Sequence, residues 1–273
     1  MKNAISIDLE DWFCAFNMSR FISRDEWGKC ELRVAANTRR ILRMLEAHGV
    51  HGTFFVLGWI AEQVPDLIRE ISSAGHEIAT HGYAHLLLTG STEAEFESDL
   101  KKGLLAVKNC GVEETVFGYR APSFTIVDGT MWALHTLEKF GLRYDSSVFP
   151  VGFHPDYGIP GASLAPYKIT ENMLEFPMSC VEVWGRRLPC SGGAYFRFFP
   201  YAYTKWCLNR INAEGRPAVF YLHPWEIDPG QPRVGLPFSK RLRHYYGLAG
   251  TESKLNRLLD DFEFTTIREV LGL

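Results

Sequence analysis

The sequence predicts a distorted, incomplete (β/α)7 TIM-like barrel, an α/β fold built on a parallel sheet. Three observations carry this expectation. Short β-prone runs alternate with amphipathic helical stretches, the order that builds a parallel sheet. Several runs are apolar throughout, as strands buried on both faces are. The runs end in acids, histidines and an arginine, and barrels place their chemistry at strand C-termini. About seven strands can be counted, so the barrel is expected to be incomplete.

The first strand is Ala4 to Ile7, ending in Asp8-Leu9-Glu10-Asp11-Trp12. Residues 33–48 carry Val34, Ile41, Leu42 and Leu45 at helical spacing, with Gly49 as the stop. Gly52-Thr53-Phe54-Phe55-Val56 reads as a buried strand, and Ile60 to Ala74 as a helix despite Pro65. Glu77 to Thr80 is the third strand and delivers His81-Gly82-Tyr83-Ala84-His85. Thr92 and Glu95 form a capping box for a helix to about Asn109. Val116 to Tyr119 delivers Arg120, and a helix over Gly129 to Phe140 leads through Leu142-Arg143-Tyr144 to Asp145.

Between about 150 and 200 the pattern is interrupted by Pro150, Pro155, Pro160, Pro166, Pro177 and Pro189. This stretch reads as an irregular insertion with short strands at Leu174 to Pro177 and Val181 to Val183. Tyr201 to Ala213 is a helix, and Pro217 to Leu222 a buried strand that delivers His223. Phe238 to Tyr246 is basic and aromatic. Thr251 to Phe262 is a helix, Glu263 to Ile267 a last strand, and a short helix follows. The whole, 1–273, reads as one domain with a C-terminal extension from about 230.

The 273 residues are 46% hydrophobic and 22% charged, enough for one large core. A net charge of −3 speaks against a nucleic-acid partner, which would require clustered Lys and Arg. The six cysteines form no CxxC pair and read as reduced, buried thiols, so a cytoplasmic setting is expected, or one peripheral to the inner membrane. No signal-peptide pattern is expected at the N-terminus, and no apolar run is long enough to span a membrane.

His81 and His85 stand four residues apart, which on a helical turn aims both rings the same way. Two imidazoles and a carboxylate make an open site for a divalent metal such as Zn, Ni, Co or Fe. A second carboxylate can take a proton from water, an arginine can keep it ionised, and an opposed histidine can protonate a leaving group. Asp8, Glu10 and Asp11, with Arg120, Asp145 and His223, supply these groups at other strand ends.

These motifs resemble the polysaccharide deacetylases, carbohydrate esterase family 4, with the NodB homology fold. The acidic Ile7-Asp8-Leu9-Glu10-Asp11, His81 to His85, Arg120-Ala121-Pro122-Ser123-Phe124 and Tyr221-Leu222-His223 fall in the family's order over about 4–225. The stretches Gly192 to Arg197 and Phe238 to Tyr245 resemble a subgroup associated with exopolysaccharide and surface-glycan assembly. The resemblance implies a metal-dependent N-deacetylase acting on a carbohydrate. Asp8 would be the base, held by Arg120, and His223 the acid, partnered by Asp145. His81 and His85 would be metal ligands, with a backbone N–H near Ser123 as oxyanion donor. Zn2+ is the expected metal, with Co2+, Ni2+ or Mn2+ as alternatives.

The chain departs from the family where adjacent aspartates are usual. Glu10 shares the strand parity of Asp8, whereas Asp11 would serve if the chain turned after Leu9, so either is a candidate ligand. The Trp-rich part of the family's fourth motif is missing, and Ser123-Phe124 replaces the usual aromatic. Trp12, Tyr195 and Trp225 are either core residues or sugar platforms. Lys240, Arg241 and Arg243 are either a solvated face or a contact for an anionic glycan or lipid-linked diphosphate. Two rival readings are an allantoinase-like hydrolase of a small cyclic amide and a glycan-binding module that has lost catalysis.

Overall fold

The computed structural model describes residues 1–152 and 157–273. Pro155, counted above among the strand breakers, lies outside the described residues. β1 (Asn3–Leu9) leads through two 3-10 turns to α1 (Val34–Ala47). β2 (Thr53–Val56) is followed by α2 (Gly58–Gln63) and α3 (Pro65–Ser73), β3 (Glu77–Thr80) by α4 (Glu93–Asn109), and β4 (Gly118–Tyr119) by α5 (Trp132–Lys139). After β5 (Tyr144–Asp145) come the short strands β6 (Tyr167–Lys168) and β7 (Leu174–Glu175), then the hairpin β8 (Cys180–Val183) and β9 (Arg186–Pro189). α6 (Gly193–Phe198), α7 (Tyr201–Ala213), β10 (Val219–Leu222), α8 (Phe238–Tyr245), α9 (Leu248–Asp261), β11 (Phe264–Thr265) and α10 (Ile267–Leu271) follow.

The main sheet runs β10-β1-β2-β3-β4-β5-β7-β6, with β11 paired to the start of β1. Its neighbours are parallel from β10 to β7, and β6 adds to β7 antiparallel. β10 and β6 end the path without pairing to each other, so the sheet curls without closing.

Strand alternation divides each strand between two cores. Ile5, Ile7 and Leu9 of β1 join Phe54 and Val56 of β2, Ile78 of β3 and Phe220 and Leu222 of β10 in the layer beneath the helices. Their neighbours Ala4, Phe55, Ala79, Val219 and Tyr221 form a second cluster on the opposite face of the sheet, the barrel interior. The same parity puts Asp8 within β1, Glu10 just past it, His81 past β3 and His223 past β10 on the interior side.

Some expected elements differ from the structure for local reasons. The helix expected over 60–74 is two helices, because Pro65 has no N–H to continue the ladder and instead opens α3 at its first position. The stretch expected as an insertion contributes to the barrel itself, since β7 pairs with β5 through Tyr144–Leu174 and Asp145–Glu175. The basic, aromatic stretch near 240 is helical, as α8.

Gly103 of α4 sits where the chain after β3 crosses the helix. A Cβ there would lie 2.7 Å from the Gly82 carbonyl carbon and oxygen, and one at Gly58 would lie 2.8 Å from the Gly103 Cα. Alanine improves helix propensity by about 1 kcal/mol at an open site. Here the clash outweighs that gain. Gly103→Ala is expected to destabilise the fold by roughly 1–3 kcal/mol, the usual cost of overpacking, read from denaturant midpoints.

Candidate active site

At the mouth of the barrel, Glu10, His81 and His85 bring one ligand atom each to within 4.8 Å of one another. Glu10 Oε1 stands 3.0 Å from His81 Nε2 and 3.1 Å from His85 Nε2, and all three residues are buried. His81 Nδ1 lies 2.8 Å from the Arg120 carbonyl oxygen. A carbonyl only accepts, so Nδ1 carries the proton and Nε2 turns a lone pair toward Glu10. A carboxylate oxygen and an imidazole lone pair then face each other at hydrogen-bond distance, an arrangement that calls for a cation or a proton between them. Outer-sphere orientation of a ligand histidine by a carbonyl is the usual support of a metal site. Burial works to raise the Glu10 carboxyl, yet His85, His223 and His81 outweigh it and hold the group well below its ordinary range.

The two histidines do not meet on a helical turn as their spacing suggested. They lie in a loop, with Gly82 at φ 71° and His85 at φ 53°. Asp99 of α4 holds this loop by accepting from the Tyr83 and Ala84 N–H groups, and Arg24 donates to the His85 carbonyl. A Cβ at Gly82 would meet the Asp99 carboxylate at 2.5 Å, so this turn needs glycine.

Asp11 stands apart from Glu10, His81 and His85. Its Oδ1 accepts from the Trp12 N–H, and its Oδ2 accepts from the Arg33 and Val34 N–H groups at 2.7 and 2.9 Å. It caps the start of α1 from a distant point in the chain. Desolvation moves its carboxyl up to about 6, against the pull of those three backbone donors.

Arg120 is fully buried and holds Asp8 through Nη1 at 2.7 Å. The same guanidinium donates to Ser6 Oγ and to the Ser146 carbonyl and hydroxyl, and it lies 4.1 Å over the Phe55 ring. Asp8 is thereby fixed on a guanidinium, whereas Glu10 sits on the two imidazoles.

His223 faces Asp8 from β10, with Nε2 3.9 Å from Asp8 Oδ2. The structure corrects the partner assigned to it. Asp145 accepts from the Ser147 hydroxyl and N–H and lies against Glu175, so it supports the turn after β5. His223 Nδ1 instead lies 3.0 Å from Glu226 Oε2, and Glu226 Oε1 accepts from Arg197 Nε at 2.7 Å. Burial opposes the imidazolium, but Glu10, Glu226 and Asp8 together pull its pKa up to about 9. Burial likewise works against the Glu226 carboxylate, and Arg197 and His223 bring its pKa down to about 2. Glu226 was missed in the sequence; its signal was an acid three residues after a strand-end histidine.

Ser123 and Phe124 line the cleft beside these groups, both in the left-handed region at φ 55° and 56°. Among the described residues, four non-glycine residues adopt such φ values, and His85, Ser123 and Phe124 are three of them; strain concentrates at the site. Within the Arg-x-Pro turn, Ala121 N–H donates to Ser147, Phe124 N–H to Ala121 and Thr125 N–H to Pro122, whereas Pro122 has no N–H. Among the described residues the Ser123 N–H has no acceptor. Trp225 lines the cleft and stacks on His223 at 5.2 Å. Trp12 does not: it is 4% exposed, and its indole N–H donates to the Glu31 carbonyl. Tyr195 is also absent from the cleft wall; its hydroxyl lies 3.3 Å from that of Tyr157, which does line it.

The six cysteines are unpaired, and five are buried. Among the described residues no helix is long and apolar enough to cross a membrane.

Residues 27–144 match the polysaccharide deacetylase family, and residues 146–272 match a domain of unknown function, DUF3473. Over residues 27–144 the chain is thus similar to the polysaccharide deacetylases. A peptidoglycan-N-acetylglucosamine deacetylase of Bacillus cereus is 38% identical over 65 residues, 24% of this chain and 24% of that protein. Matches to the first curated relatives span 24% to 40% of their lengths. In fold, the chain is similar to a Mycobacterium smegmatis protein described as a polysaccharide deacetylase (TM-score 0.64, 22% identity, 99% of this chain and 90% of that one). It is also similar to Puue allantoinase (TM-score 0.63, 16% identity, 98% of this chain and 88% of that one).

The geometry separates the two acids that the sequence left open. If Glu10 holds a metal with His81 and His85, Glu10→Gln is expected to weaken retention of added Zn2+ at least about tenfold. Asp11→Asn should leave metal stoichiometry unchanged and cost roughly 1–3 kcal/mol of stability, as buried N–H groups lose a charged acceptor. Metal content after dialysis and denaturant midpoints read the two effects separately.

Proposed function

We propose that this chain is a divalent-metal-dependent amidohydrolase that removes the N-acetyl group from an amino sugar of a bacterial polysaccharide or glycan precursor. One observation carries the reading. Glu10, His81 and His85 converge as a ligand set, while Asp8 and His223 flank it on separate supports, each tied to its own arginine network. Zinc suits two imidazoles and one carboxylate.

A metal held there supplies Lewis-acid polarisation of the amide carbonyl and lowers the pKa of a nearby water. Asp8, held in place by Arg120, takes the proton from the attacking water. The Ser123 N–H donates to the oxygen that gains negative charge as the carbonyl becomes tetrahedral. His223, oriented by Glu226, gives its Nε2 proton to the nitrogen of the departing amine. Trp225 and Phe124 offer apolar walls against which a sugar ring can lie. The names of the curated relatives, deacetylases of peptidoglycan and chitooligosaccharides, favour a glycan over a small cyclic amide. The intact Asp8–Arg120 and His223–Glu226 pairs speak against a binding module without catalysis.

The test is acetate release from N-acetylated sugar nucleotides, lipid-linked sugars and oligomers, with and without added metal. Metal-dependent acetate release is expected from at least one glycan substrate. Release from none of them, with turnover of allantoin instead, would overturn the reading.

His223 must be protonated to act as the acid. Its donor form is present below its pKa and lost above it, so the alkaline limb of kcat/KM should fall between the ordinary 6.5 and about 9. Glu226→Gln removes a neighbour that favours the imidazolium, and the limb should move to lower pH. His223→Ala should lower turnover of the amide by roughly 10²–10⁴ with metal content unchanged, and lower turnover of an activated acetyl ester much less. Equal losses on both substrates would remove the acid role.

A further inference from the structure

The basic stretch of α8 does not act as one surface. Lys240 Nζ lies 5.5 Å from the centre of the Phe21 ring, and the Arg241 guanidinium lies 5.6 Å from that of Phe238. Neither lines the cleft; Arg243 does, together with Asp8, Glu10, His223 and Tyr157. Its side chain is exposed, and among the described residues its guanidinium has no carboxylate or hydrogen-bonding partner. The other charges of the cleft are compensated. Asp8 is paired with Arg120 and Glu226 with Arg197, and Glu10 sits between two imidazoles. Among the described residues, Arg243 therefore brings an unbalanced positive charge to the rim.

The backbone that carries this side chain is held from behind. Arg197 Nη2 donates to the Arg243 carbonyl at 2.8 Å, and Arg197 Nη1 donates to the carbonyls of His244 and Tyr246. The Nε of the same guanidinium binds Glu226, which orients His223. The C-terminal turn of α8 is thus bolted to the group proposed as the acid, so the backbone of Arg243 keeps a fixed relation to His223.

We propose that Arg243 selects an N-acetylated sugar that carries an anionic group, a carboxylate or a phosphate, on the same or the adjoining unit. This rests on the deacetylase reading of the cleft. Guanidinium recognises both groups with charge-assisted, often bidentate hydrogen bonds.

The experiment is calorimetric binding to the zinc-loaded protein of three probes: N-acetylglucosamine, N-acetylglucosamine 1-phosphate and N-acetylmuramic acid. At least one anionic probe should bind about tenfold more tightly than the neutral one at low salt. The advantage should shrink with added salt, be lost in Arg243→Gln and be partly kept in Arg243→Lys. A larger gain for the phosphate points to a phosphorylated carrier or precursor, and a larger gain for the carboxylate to an acidic sugar; either supports the proposal. Equal binding of all three probes, no binding of any, or an equal loss for neutral and anionic probes in Arg243→Gln would overturn it. Failure of acetate release with the anion preference intact would instead remove the deacetylase reading and leave Arg243 as an anion contact.

Discussion

The buried guanidinium of Arg120 is the constraint on which the site depends. It has no exposed surface, and a charge so placed is tolerated only with paired, hydrogen-bonded partners. Its partners come from three parts of the barrel: Asp8 and Ser6 on β1, Ser146 after β5, and the face of Phe55 on β2. Its own backbone continues the tie, since its N–H donates to Thr80 and its carbonyl accepts from His81. One residue therefore fixes the proposed base, the tautomer of one proposed ligand, and the spacing between them. Removing one member of such a network strands the others in a place where water cannot replace it.

A second network mirrors the first on the opposite wall. Arg197 and Glu226 hold His223, and the same arginine gathers the carbonyls at the end of α8. These residues lie in the stretch that matches a domain of unknown function, whereas His81, His85 and Arg120 lie in the stretch that matches the deacetylases. The barrel does not respect that division. β7 and β10 come from the second stretch and pair with β5 and with β1, which itself precedes both. The site is a joint product of the two halves, and neither half contains both the proposed ligands and the proposed acid.

Much of this was legible in the sequence, for physical reasons. Continuous apolar strands and strand-end acids mark a parallel barrel, and period-two alternation places Asp8 and Glu10 on one side. The parts that were not legible depend on contacts distant in sequence. Asp11 looks like a ligand until its carboxylate is found on the N–H groups of Arg33 and Val34. Asp145 has the right residue type, but Ser147 and Glu175 take it. The His81–His85 spacing suggested a helical turn, whereas a glycine at positive φ and Asp99 shape a loop that brings the rings together by another route. Trp12 is the reminder that an aromatic residue beside a strand end is more often core than platform.

The measurement that most directly tests the account is anomalous diffraction at the zinc edge from crystals soaked in Zn2+. The account predicts one strong peak within bonding distance of Glu10, His81 and His85, with Asp8 still on Arg120 and Asp11 still on the start of α1. A peak coordinated by Asp11, a peak elsewhere, or no bound metal at all would contradict it.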